Sequence, residues 1–232
     1  MNEMEWEKLL KGVNEITQWH KEGLLFIGGV AVYFHAREFD KLNYLSNSLV
    51  ELSHDADFMI SVPEFADLRD LEEVTNNSRL SKGQLVKHGI EYDIYVQSTH
   101  NLCVSFEDAL QKRKEIEGIP VASLDHLLGL KMMAYEDRKK SIKGEKDRRD
   151  IVKIVAMNSA PDKEAICQVI PYVDIDVLKQ ISTSSAFSDI CEGNFHQAKS
   201  LRELYSRNLS NIEHAMNVDC SRQVSKLKGP GL

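Results

Sequence analysis

The stretch LSHDADFMI, residues 52–60, alternates as a β-strand does, yet it sets two carboxylates one residue apart in its middle. Side chains on a strand point to opposite faces in turn, so Asp55, Asp57 and Met59 share one side and Ala56, Phe58 and Ile60 the other. The apolar side belongs to a core, and the two acids then project together into whatever lies opposite. Like charges so close repel and raise one pKa unless a cation lies between them. Paired carboxylates on a rigid strand suit Mg²⁺, or Mn²⁺ in its place, which binds through one or two carboxylates together with substrate phosphates. A sheet rim with its acids in water would carry the same tripeptide.

On the carboxy-terminal side, GQLVKHGIEYDIYVQ, residues 83–97, reads as a β-hairpin with Lys87, His88 and Gly89 in the turn. Its second strand puts Tyr92, Ile94 and Val96 on an apolar face and leaves Glu91, Asp93 and Tyr95 on the other. If that strand neighbours the first, Asp93 completes a three-carboxylate set able to hold two divalent ions and to draw a proton from an attacking hydroxyl. Otherwise it is the wetted face of a hairpin edge. On the amino-terminal side, LLFIGG, residues 24–29, is an apolar run that ends in a double glycine, and VAVYFHAREF, residues 30–39, resumes a helical pattern. A strand, a tight turn and a helix follow from that order. At Gly28 and Gly29 the backbone N–H groups and the positive end of the helix can approach phosphate oxygens, although a lone Gly-Gly pair is often only a turn.

The remaining pattern divides the chain. Residues 1–120 read as a mixed α/β unit that begins with an amphipathic helix bearing Trp6, Leu9, Leu10, Val13 and Ile16 and includes a helix over PEFADLRDLEEV, residues 63–74. Residues 121–220 are helical in period, with breaks at Pro161 and Pro171, and form a helical domain that contributes to the site cleft. Residues 221–232, SRQVSKLKGPGL, read as a mobile tail. The fold class is α+β: a mixed sheet flanked by helices, followed by a carboxy-terminal helical bundle. In that bundle Leu124, Leu127, Leu128, Lys131, Tyr135 and Arg138 share one helical face, which sets a lysine in an apolar stripe. In EKDRRDIVKIV, residues 145–155, Asp147 falls on the stripe of Ile151, Ile154 and Val155, while Arg148, Arg149 and Lys153 look toward solvent. Lys131 and Asp147 thus both point inward. They form a buried ion pair between packed helices, or Lys131 neutralises triphosphate charge with Asp147 orienting it.

Composition narrows the partners. A hydrophobic content of 42% supports a core, and a formal net charge of −7 disfavours non-specific attraction to nucleic acid, so any RNA contact requires a local basic patch. Cys103, Cys167, Cys191 and Cys220 are scattered without a C-x-x-C pair, which favours reduced thiols and a cytoplasmic location. The amino terminus lacks a signal-peptide pattern, and no membrane-spanning run is visible. His35, His54 and His88 read as packing or edge residues.

Taken together, GG after a strand, then SHDADF, then YDIYV resemble the catalytic core of the DNA polymerase β-like nucleotidyltransferase superfamily. The later LKMMAYEDRKKSIKGEKDRRDI is similar to the lysine and Lys-Asp-x-x-Asp motifs of its AbiEii branch, the toxin components of abortive-infection and toxin–antitoxin systems. The resemblance spans residues 24–155. It implies that Gly28 and Gly29 form a phosphate-binding turn, that Asp55, Asp57 and Asp93 hold metal, and that Lys131, Lys146, Asp147 and Asp150 belong to the NTP-binding motifs. It further implies Mg²⁺-dependent transfer of a nucleoside monophosphate from an NTP to an acceptor hydroxyl, in some members on the acceptor end of tRNA, with an antitoxin as protein partner; an RNA end, a protein side chain and a small hydroxylated molecule are all compatible acceptors for the core. Residues 30–54 are longer than the compact superfamily pattern allows, so REFDKLNYLSNS, residues 37–48, is an insertion or a longer connection. A second reading keeps the fold and drops the chemistry: a binding module that acts through a protein partner with little or no catalysis.

Overall fold

Trp6, Leu9, Val13 and Ile16 recur at three- and four-residue spacing, and helix α1 (Glu3–His20) lays all four in the core. The computed structural model describes residues 3–39, 45, 55–77 and 81–217 of the 232-residue chain. After α1 come β1 (Leu24–Ile27), α2 (Gly28–Glu38), β2 (Asp55–Ile60), α3 (Val62–Leu71), β3 (Val74–Asn77), β4 (Lys82–Lys87) and β5 (Ile90–Val96). A short helix α4 (Phe106–Gln111) leads to β6 (Lys114–Ile116) and β7 (Ile119–Val121). The rest is helical: α5 (Leu124–Arg138), α6 (Ile142–Met157), α7 (Lys163–Val169), α8 (Ile175–Ile181), α9 (Ala186–Ile190) and α10 (Phe195–Met216).

The seven strands form one mixed sheet in the order β3-β4-β5-β2-β1-β7-β6. The β2–β5 and β1–β7 pairs are parallel and the other four antiparallel. The hairpin joining β4 to β5 turns on His88 and Gly89, both at positive φ (55° and 79°), the backbone of a two-residue turn whose twist matches the strands it joins. Lys87 belongs to the strand instead of the turn. On the apolar face of the sheet, Tyr92 donates its hydroxyl proton to the Leu9 carbonyl of α1 at 2.9 Å. Gly12 permits that approach, since a Cβ there would lie 2.1 Å from the tyrosine oxygen.

Serine side chains cap four of the described helices. The hydroxyls of Ser61, Ser105, Ser123 and Ser141 accept from the backbone N–H of Glu64, Asp108, His126 and Gly144, three residues on in each case. Helices α5 and α6 pack along each other and against α2, and α9 and α10 pack on α6. Two buried hydrogen bonds fix α10: Tyr205 to the Leu178 carbonyl at 2.8 Å, and Asn208 Nδ2 to the Ala156 carbonyl at 2.7 Å.

Several expectations change. The segment read as one helix over residues 63–74 ends at Leu71, and Val74 opens a strand. Strands β6 and β7 occupy residues for which no strand was expected. Lys153, assigned to solvent, is 4% exposed, because α6 is covered by α2, α9 and α10. Cys103 and Cys191 are free thiols as expected, whereas Cys167 is disulfide-bonded. His35 is a packing residue, buried with Nε2 2.8 Å from the Ala122 carbonyl oxygen. His54, most of the connection over residues 37–48 and the tail over residues 221–232 lie outside the described residues. No helix among the described residues is long and apolar enough to cross a membrane.

Candidate active site

Strand register brings the acids together. In the parallel β2–β5 pair Asp57 lies beside Asp93, Asp55 beside Glu91 and Met59 beside Tyr95, so Asp55, Asp57 and Asp93 share one face on adjacent strands. Asp55 and Asp57 are half-buried and Asp93 is buried. Burial and the neighbouring Asp55 push the Asp57 carboxyl up to about 7, against the pull of Lys131. Asp93 is held differently. Its Oδ1 accepts from Gln84 Nε2 at 2.9 Å and its Oδ2 pairs with the Lys82 ammonium, both from the adjoining strand β4. Tyr95 stands on the same face, and burial together with Asp57, Asp93 and Asp55 raises its pKa, which keeps the phenol protonated and able to donate.

The double glycine opens α2 against this face. Gly28 has φ +66°, and a Cβ on it would lie 2.4 Å from Asp57 Oδ2. The first turn, which contains Gly29, has no side-chain cap from Ile27, and its Gly28 start, at the positive end of the helix dipole, lies against Asp57.

Helices α5 and α6 bring cations to the acids. Lys131 Nζ lies 2.7 Å from Asp150 Oδ2 and 3.3 Å from Asp147 Oδ1. Arg138 grips Asp147 with two bonds, Nε to Oδ2 at 2.7 Å and Nη2 to Oδ1 at 3.1 Å. Burial pulls the Lys131 pKa down, but Asp150 and Asp147 more than offset it, so the ammonium keeps its proton. The charge on Lys131 is also felt by Asp57, and that of Arg138 by Asp57 and Asp55. Burial lowers the pKa of Lys146, whose charge acts on Asp150 and Asp55. Asp147 and Asp150, placed by motif among NTP-binding residues, are the anions that hold Lys131 and Arg138 in position. Sequence reasoning gave no role to Lys82, Gln84, Tyr95 or Arg138; for Tyr95 and Arg138 the signal was their shared face with Asp93 and Lys131.

The donor set suits one divalent cation on Asp55 and Asp57, completed by ligand oxygens, because two half-buried carboxylates leave one of them with a raised pKa that a cation would relieve. Among the described residues no three His, Cys, Asp or Glu side chains converge as a metal cage. A cavity of about 260 Å³ lined by Tyr135, Lys139, Arg148 and Ser184, among others, includes none of these acids.

No protein-family model matches the chain, and no curated protein matches it. Solved structures to which it is similar include an antigenic nucleotidyltransferase-like protein from Paracoccidioides brasiliensis, at 16% identity and a TM-score of 0.46 over 84% of this chain and 93% of that one. JHP933 from Helicobacter pylori is similar at 13% identity and a TM-score of 0.42, over 98% of this chain and 97% of that one.

Proposed function

We propose that the acid face is the active site of a nucleotidyltransferase that moves a nucleoside monophosphate from an NTP to an acceptor hydroxyl. The observation that carries this reading is the register of Asp57 beside Asp93, with the glycine start of α2 against Asp57 and the charges of Lys131 and Arg138 on α5 and of Lys146 on α6 acting on the acids of β2. A divalent cation on Asp55 and Asp57 supplies charge neutralisation for the triphosphate. The open first turn of α2 receives phosphate oxygens, and Lys131 and Arg138, fixed by Asp147, offset the charge that gathers on the leaving group. The acceptor oxygen forms a bond to the α-phosphorus while the bond from that phosphorus to the bridging oxygen breaks. The bonding electrons leave with pyrophosphate, and the hydroxyl proton passes to a carboxylate of the acid face. The motif resemblance supports a toxin role, an RNA end as acceptor and an antitoxin as partner; a protein side chain or a small hydroxylated molecule also fits the core as acceptor.

The purified chain, incubated with each α-labelled NTP, Mg²⁺ and either total RNA or cell extract, is expected to place label on one class of acceptor. Absence of label from every combination would contradict the proposal. One observation favours the binding-module reading instead: Asp93 already has both oxygens engaged by β4. That reading requires that Mg²⁺ and NTP together leave the melting temperature unchanged.

A further inference from the structure

The β4–β5 register limits how many cations the acid face accommodates. Gln84 lies opposite Asp93, and Lys82 is two residues away on the same side of β4, so backbone pairing puts both side chains on the acid face. Gln84 Nε2 donates to Oδ1 of Asp93 and the Lys82 ammonium pairs with Oδ2. The Lys82 and Asp93 side chains are only 13% and 12% exposed, so water does little to loosen the pair. Asp55 and Asp57 lie two residues apart on the neighbouring strand and share the face of Asp93.

Two-metal sites hold their ions about 3.5–4 Å apart on shared carboxylates. A second ion bound to Asp93 would meet the Lys82 ammonium at similar range, and like charges so close exclude one another. We infer that Lys82 is the built-in second cation of this site: the nucleotide-bound chain takes one divalent ion, on Asp55 and Asp57, while Lys82 and Gln84 hold Asp93 as a positioned anion. Lys82 is a positioning residue acting through Asp93. The inference rests on the proposed nucleotidyltransferase reading and adds to it the number of ions and the group that replaces one of them.

The test is a Mn²⁺ titration of the full chain followed by electron paramagnetic resonance, alone and with an α,β-methylene NTP analogue, after subtraction of a protein-free titration. One ion per wild-type chain is expected at saturation, and two per chain, with the broadened signal of a coupled pair, in Lys82→Met. Lys82→Gln keeps a polar side chain against Asp93 and gives the same outcome if the methionine variant does not fold. Two ions in the wild type overturn the inference and leave the proposed chemistry standing, and a single ion in a folded variant also overturns it. No bound ion under either condition overturns the metal reading of Asp55 and Asp57, and the inference with it.

Discussion

Gly28 and Asp57 occupy a space that only glycine leaves open: a Cβ at position 28 would stand 2.4 Å from the Asp57 carboxylate, on a backbone already at φ +66°. The contact ties the start of α2 to the middle of β2, one residue past the Ile27–Asp57 strand pair. Gly28→Ala therefore meets both strain and a clash. Strain of this kind costs about 1–3 kcal/mol, read as a lower urea midpoint, and the displaced Asp57 should lower nucleotide-dependent thermal stabilisation as well. An unchanged midpoint would show that the turn relaxes freely.

Asp57 should make the wild-type protein less stable as pH rises. Its folded pKa of about 7 lies above its ordinary value of 3.8, so the folded state holds the proton more tightly. That contribution to stability is fully present below about pH 4 and is lost as pH rises through 7. Asp57→Asn removes the dependence. The variant should melt at the same temperature as wild type near pH 4 and higher at pH 8. The ceiling is about 4 kcal/mol at 1.36 kcal/mol per pKa unit, less in practice because solvent still reaches the carboxylate. Calorimetry at the two pH values decides it, and a variant less stable than wild type at pH 8 would contradict the electrostatic account.

Asp147 is the buried hinge of the cation set. Its replacement by Ala leaves Arg138 without its partner and Lys131 with Asp150 alone, and breaking a buried pair of this kind typically costs about 3–5 kcal/mol. Arg138→Ala should cost less, because its side chain is 42% exposed and Lys131 still faces Asp147. It should instead weaken NTP binding. Chemical denaturation and fluorescence titration with an NTP analogue separate the two effects, and equal stability losses would place Arg138 in the framework alone.

Which parts of this site could be read from the chain follows from element length and register. Strands β2 and β5 run six and seven residues, long enough for alternation to show which face carries Asp55, Asp57 and Asp93. Strands β6 and β7 have three residues each, too short for a period, and β7 contains Pro120. The edge strand β3, VTNN, has a single apolar residue and no alternation to read. Gln84 looked like an ordinary polar position of a hairpin and Lys82 fell just before it, since their importance comes from lying beside Asp93, and a one-residue slip would turn both away. Lys131 stood out as a charge in an apolar stripe. Its link to Asp150 did not, because the relative rotation of two helices is set by packing and not by the stripe of either one.

The proposed chemistry assigns Asp57 to the nucleotide rather than to the fold. The most direct measurement is NTP-dependent release of pyrophosphate in the presence of Mg²⁺ and cell extract, compared between wild type and Asp57→Asn at matched folded concentration. Release by the wild type is expected, with a loss of at least about 100-fold in a variant that melts no lower. Equal release from a folded Asp57→Asn protein, or none from the wild type with any NTP, would contradict it.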